Sequence, residues 1–285
     1  MVLQFYKPTQ LLTPHVQAMM VFRDQTDTDT PVLKPFPPAV EQTLYFYPGN
    51  TIRNYTIDQG KEAPIPFSIV VGPQKNRIDL SILGDHVVIA VFFRPGGLQR
   101  LLGAPIPGVF GEDHVLDSSL IWPKEIREIR EQLAQADSYS QMISDIDRFL
   151  CRQYNRTNPT LDRFQGVFER LLDSNRPASI DYLADQSCLS MRQFERRFQE
   201  QIGMSPRLFA RIGRFSRAYR AKDRSPHLSW LDIAMKCGYY DFRHLVRDFR
   251  EFGDTTPTQL LLEEHLSPLK AYTSIGFNMS DLYTR

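Results

Sequence analysis

The sequence predicts an α+β protein, with a β-rich N-terminal domain closed by a helical hairpin and an all-α C-terminal domain built from one helical unit used twice. Three observations carry this. Residues 190 to 206 recur, offset by 51 positions, at 241 to 257: Arg192, Arg196, Phe198 and Pro206 reappear as Arg243, Arg247, Phe249 and Pro257, while Ser190, Phe194 and Phe209 correspond to Asp241, Leu245 and Leu260. Most prolines and several short β-type runs lie in the first 120 or so residues. Between these regions, apolar residues recur at helical spacing.

The β-type runs are Gln42 to Tyr47, Phe67 to Val71, Ile78 to Leu83 and His86 to Phe93, each bounded by turn residues such as Pro48, Pro64 and Pro66. Pro95-Gly96-Gly97 then turns into a short helix, Leu98 to Leu102. Ile126, Ile129 and Leu133, followed by Met142, Ile143, Ile146, Phe149 and Leu150, predict two amphipathic helices. Their apolar stripes suggest that residues 124 to 153 also carry self-association. A linker is expected near Asn155 to Thr160, giving domains at 1–155 and 160–265 and a tail at 266–285.

In the duplicated region, Ile180, Leu183 and Ala184 precede the first copy, and Leu231, Ile233 and Ala234 precede the second. Each set predicts a short helix, a tight turn and a second helix capped by Ser190 or Asp241, whose side-chain oxygens accept from free backbone N–H groups. On the second helix, Met191, Phe194, Phe198 and Ile202, or Phe242, Leu245, Phe249 and Phe252, form a core-facing stripe. The opposite faces carry Arg192, Arg196 and Gln199, and Arg243, Arg247 and Arg250. A helix, a tight turn and a capped helix with a cationic outer face is a helix-turn-helix, the arrangement whose second helix enters the major groove of DNA.

Pro206 to Arg220 reads as a long helix joining the two units. Residues 190 to 224 hold ten Lys or Arg against three acidic residues, a patch hidden by a whole-chain balance of +1. Concentrated positive charge suits the phosphate backbone. Candidate base readers are Arg192, Arg196, Gln199, Arg243, His244 and Arg247; candidate phosphate contacts are Arg207, Arg211, Arg214, Arg217 and Arg250. Glu195 is expected to pair with Arg192 or Arg196.

Ile180-Asp-Tyr-Leu-Ala184, Ser190 through Phe198, Gly203-Met-Ser-Pro206, Asp232-Ile-Ala234, Gly238-Tyr239 and Phe249 through Pro257 together resemble the DNA-binding domain of AraC/XylS-type transcription regulators. The resemblance covers roughly residues 160 to 264. It implies double-stranded DNA as partner, and RNA polymerase where such a protein activates. The N-terminal half resembles, more loosely, the cupin-like barrel and dimerising helices of these regulators, which implies a small-molecule effector of unknown chemistry and a homodimer. Phe93 to Gly103 looks like a stretch found in a subgroup of them. The rival reading is a ligand-binding or enzymatic N-terminal domain with an accessory DNA-binding module.

Catalytic machinery is not visible. His15, His86 and His114 are isolated, without the spacing of a metal site, and no nucleophile elbow, phosphate-binding loop or dinucleotide fingerprint occurs. No metal or cofactor is expected. Arg94 reads as a structural residue beside a turn. Cys151, Cys188 and Cys237 are odd in number and widely spaced, and no apolar run has the length of a membrane span, so a reducing cytoplasm is the expected setting.

Overall fold

The computed structural model of the chain describes residues 2–25, 32–49, 52–56, 61–82, 85–106, 115–158, 164–172 and 178–266. The tail expected beyond 266 and His114 lie outside them.

Among the described residues the N-terminal part holds ten strands: β1 (Val2–Tyr6), β2 (Val16–Gln25), β3 (Val32–Phe36), β4 (Gln42–Phe46), β5 (Ile52–Thr56), β6 (Lys61–Pro64), β7 (Ser68–Val71), β8 (Ile78–Ile82), β9 (Asp85–Phe93) and β10 (Val115–Asp117). They form a six-stranded sheet in the order β1-β2-β9-β4-β7-β10 and a four-stranded sheet in the order β3-β8-β5-β6. Every pairing is antiparallel; Met20 lies opposite Ala90, and Leu44 opposite Val91. Among the described residues both sheets are open, with β1 and β10 as the edges of the larger one, so the β-rich N-terminal part is built from two sheets.

Alternation explains how the large sheet is covered. Met19, Val21, Leu44, Phe46, Val70, Ile89 and Val91 pack on one side with the helices, whereas Met20, Phe22, Tyr47, Ile69, Val88, Ala90 and Phe92 form a separate cluster on the other side with Phe36 of the second sheet. Burial on both faces makes β9 a near-continuous apolar run, His86 to Phe93. Helices α1 (Gly97–Leu102), α2 (Pro123–Gln135) and α3 (Tyr139–Thr157) cover the first side. Here Ile126, Ile129, Leu133, Ile143, Ile146, Phe149 and Leu150 are all buried in the domain's own core. These stripes thus serve the domain's own core, and their apolar surface is taken up against the sheet.

The turn at Pro95–Gly97 is structural. Gly97 lies so close to β2 that a Cβ there would meet the carbonyl of His15 at 2.2 Å, and Arg94 donates from its backbone N–H to that same carbonyl and from Nε to the Thr13 carbonyl. His15 itself is fully buried; desolvation, aided by the charge of Arg100, pushes its pKa down to about 4.

The C-terminal part is helical: α4 (Gln165–Leu172), α5 (Ile180–Gln186), α6 (Met191–Ile202), α7 (Pro206–Arg224), α8 (Trp230–Lys236), α9 (Phe242–Gly253) and α10 (Pro257–Leu266). One apolar cluster joins them, with Phe164, Phe168, Phe194, Phe198 and Phe209 meeting mostly edge to face in one half and Phe215, Trp230, Phe249 and Phe252 in the other.

Helix α7 is the shared axis, and its residues divide among three neighbours. Arg211 and Arg214 face α9, as described below. Gly213 and Arg217 face α4: a Cβ at Gly213 would come within 2.4 Å of Leu172 Cδ2, and Arg217 donates to the Leu172 carbonyl at 2.9 Å. Ser216 and Arg220 face the N-terminal part, where the Ser216 hydroxyl donates to the Pro38 carbonyl at 3.1 Å and Arg220 lies 3.7 Å from the Glu41 carboxylate. Val40 is buried in the cluster of the C-terminal helices, and Arg77 bridges Asp79 and Glu263 of α10 at 2.8 and 2.6 Å. At the other end of α6, a Cβ on Gly96 would meet Gln201 and Phe168 at 3.2 Å, so the turn before α1 also docks on the helical half.

Candidate DNA-binding interface

The two units repeat in backbone detail. Ser190 accepts from the Gln193 N–H while the Gln193 side chain accepts from the Ser190 N–H; Ser229 and Asp232 do the same at the start of α8. Asp241 caps α9 by accepting from the His244 N–H at 2.7 Å. In the turns, Leu189 N–H donates to the Ala184 carbonyl and Tyr239 N–H to that of Ala234. The residue before each donor sits in the left-handed region: Cys188 at φ 54° and Gly238 at φ 77°. After the recognition helices, Gly203 (φ 93°) and Asp254 (φ 53°) again match. Glycine adopts this conformation without Cβ strain, so each pair shows the same bend built once with the favoured residue and once without it.

These caps fix which faces of α6 and α9 point outward. Arg192, Arg196, Arg243 and Arg247 are all exposed. Arg196 makes only a loose contact with Glu200, at 3.8 Å, and it is Glu200 rather than Glu195 that approaches it. Arg243, Arg247 and Arg250 line a groove of about 450 Å³ on α9 together with Phe242 and Val246. Phe242, expected in the core, is 41% exposed, because it lies at the edge of the stripe whose buried members are Leu245, Phe249 and Phe252.

The remaining candidates are placed differently. Gln199 is exposed but donates to the Gly203 carbonyl at 3.0 Å, finishing its own helix. His244 turns inward, its Nε2 3.3 Å from Arg214 and its ring edge-on to Tyr239 at 5.5 Å. Arg207 and Arg250 stand exposed on the surface. The three connector arginines Arg211, Arg214 and Arg217 have acceptors inside the protein. Asp248, fully buried on α9, accepts from Arg211 at 2.7 Å and Arg214 at 3.3 Å; Arg211 also bonds Glu251 at 2.7 Å, which pushes its pKa further up. Arg214 covers the ring of Tyr239 at 4.4 Å, and that phenol is raised by burial and by the nearby carboxylate. A carboxylate among the core positions Leu245, Phe249 and Phe252 was the sequence signal for this arrangement, since a charge on an apolar stripe requires a buried partner.

Among the described residues no three His, Cys, Asp or Glu side chains gather to hold a metal, and no helix is long and apolar enough to cross a membrane.

Comparison with known proteins gives family matches in two separate stretches of the chain. Residues 183–277 match the family described as helix-turn-helix domain, and residues 4–112 match a family described as a domain of unknown function. No curated protein matches the chain. Among solved structures, the apo form of a ToxT variant from Vibrio cholerae strain SCE256 is 12% identical over 86% of this chain and 97% of its own, with a TM-score of 0.45. Wild-type ToxT from the same strain, bound to an unsaturated fatty acid, is 10% identical over 90% and 97%, also at 0.45. An AraC-type transcriptional regulator from Chromobacterium violaceum is 24% identical over 33% of this chain and 91% of its own, with a TM-score of 0.28. With the duplicated capped units and their outward arginines, the match over residues 183–277 identifies this stretch as a helix-turn-helix domain.

Proposed function

We propose that α6 and α9 enter two successive major-groove segments on one face of the duplex, and that the N-terminal part sets their mutual position through α7. The observation that carries the first statement is the same pair of exposed arginines, one turn apart, on two equivalently capped helices: Arg192 and Arg196, then Arg243 and Arg247. A guanidinium can bond O6 and N7 of guanine together, so each arginine is suited to reading a base edge. Arg207 and Arg250 supply phosphate contacts that fix register without reading sequence. The second statement is supported by the Pro38–Gln42 segment against α7 and α6, with Gln42 donating to the Gln201 carbonyl at 3.4 Å. A small-molecule effector acting on the N-terminal part would reach the DNA surface along this route. We place the boundary between the two functional parts after Thr157, where α3 ends at Asn158 in the left-handed conformation.

Footprinting the full chain on a duplex selected from a random library tests the reading. Two protected segments about 10 base pairs apart are expected, the repeat of one helical turn. A single protected segment, or equal affinity for all sequences, would overturn it.

A further inference from the structure

The two recognition helices are equivalent in backbone but not in chemistry. At an offset of 51, α6 has Met191, packed against the core, and outward Arg192, Glu195, Arg196 and Gln199, where α9 has Phe242, Arg243, Val246, Arg247 and Arg250. The α6 set carries two positive charges and one negative. The α9 set carries three positive charges and no acid, and its apolar members do not retreat into the core: Phe242 is 41% exposed, and Val246 lines the same groove as the three arginines.

An apolar side chain held among guanidinium groups on a base-facing surface has one apolar feature available to it in the major groove, the C5 methyl of thymine. Resting on the reading of α9 as a recognition helix, we infer that Val246 and Phe242 are specificity-determining residues that pack on thymine methyls beside the guanine bonded by Arg243 or Arg247. Position matters here. Phe242 is the first residue of α9 and Val246 the fifth, within the N-terminal half of a recognition helix that contacts base edges. Arg243 and Arg250 lie three residues before and four after Val246, so the valine is flanked on its own face by cations that draw the helix onto the backbone and edge of the duplex. At the position equivalent to Val246, α6 has Glu195, a carboxylate that suits the cytosine amine and has no use for a methyl group. The two halves of the site thus differ in kind, a guanine–thymine element under α9 and a guanine–cytosine element under α6.

The test alters the DNA and leaves the protein intact. The full chain selects its preferred duplex from a random library, and the half-site under α9 is identified as the one whose protection is lost in Arg247→Ala. Thymines of that half are then replaced singly by deoxyuridine, which removes the methyl and changes no hydrogen-bonding group. Wild-type affinity should fall about fourfold at one or two positions, the factor for taking one methyl-sized group out of an apolar contact. In Val246→Ala or Phe242→Ala the same replacement should make no difference. Val246→Glu should shift the preference at that position from thymine towards cytosine.

Failure of the selection to enrich any sequence would defeat the base-reading function itself. An enriched site with no thymine under α9, or one whose deoxyuridine forms bind wild-type protein equally well, would defeat the inference alone. The wild-type comparison decides the matter even if Val246→Ala or Phe242→Ala does not fold.

Discussion

Arg220 of α7 and Glu41 of the N-terminal part meet at 3.7 Å, with side chains only 8% and 7% exposed. Burial pushes the Glu41 carboxyl above its ordinary value of 4.5, and the charge of Arg220 offsets this only in part. A carboxyl with a raised pKa in the folded state binds its proton more tightly folded than unfolded. Its contribution is therefore fully present below about pH 4.5 and is lost as pH rises through the folded value. Unfolding measured between pH 4 and pH 9 should show this loss in the wild type and a flatter profile in Glu41→Gln. Parallel profiles would show that the pair, not desolvation, governs the contact.

Asp248→Ala should destabilise the chain by about 2–3 kcal/mol, because Arg211 and Arg214 lose their common acceptor, although their partial exposure lets water replace some of it. Denaturant unfolding checks this. Arg243→Ala, on an exposed face, should stay within about 0.5 kcal/mol of wild type. Equal effects of the two changes would contradict the assignment of Asp248 as the anchor between α7 and α9.

Arg196→Ala or Arg247→Ala should cost about 1–3 kcal/mol at the preferred site and relax selection at particular base pairs. Arg207→Ala or Arg250→Ala should weaken binding to every sequence alike and reduce the slope of affinity against salt. Competition with unrelated duplex at several salt concentrations separates the two behaviours. If Arg196→Ala lowered both affinities by one factor, it would be a backbone contact.

Cys188→Gly and Asp254→Gly each place glycine where the equivalent bend of the other unit already has it. Relief of left-handed strain should raise stability by about 0.5–1 kcal/mol at each position, net of the extra freedom glycine gives the unfolded chain. Thermal melts of the single and double variants would reveal it. No gain at either position would mean that the strain is relieved by the surrounding turn.

The helical half was legible because its signals are local. Caps, stripes and the 51-residue offset are written within a few turns of chain, and the helices begin where Ser190, Ser205 and Asp241 indicate. What sequence reasoning missed depends on partners far along the chain. Arg211 and Arg214 look like free cations until α9 brings Asp248 against them, 37 and 34 positions away. Strand β2 was missed although it pairs with β9 along nearly all its length, since Gln17-Ala-Met-Met20 is rich in residues with no preference for strands; its conformation comes from burial on both faces. Phe242 shows the limit of periodicity at the edge of a stripe, where one helical position separates core from solvent.

Pro38 and Ser216 bond across 178 positions of sequence, so this part of the C-terminal core cannot be completed by local contacts and closes only over a long loop. The helix that joins the two helix-turn-helix units is thus held against a platform the earlier half of the chain provides, and its setting in the fold depends on contacts far apart in sequence.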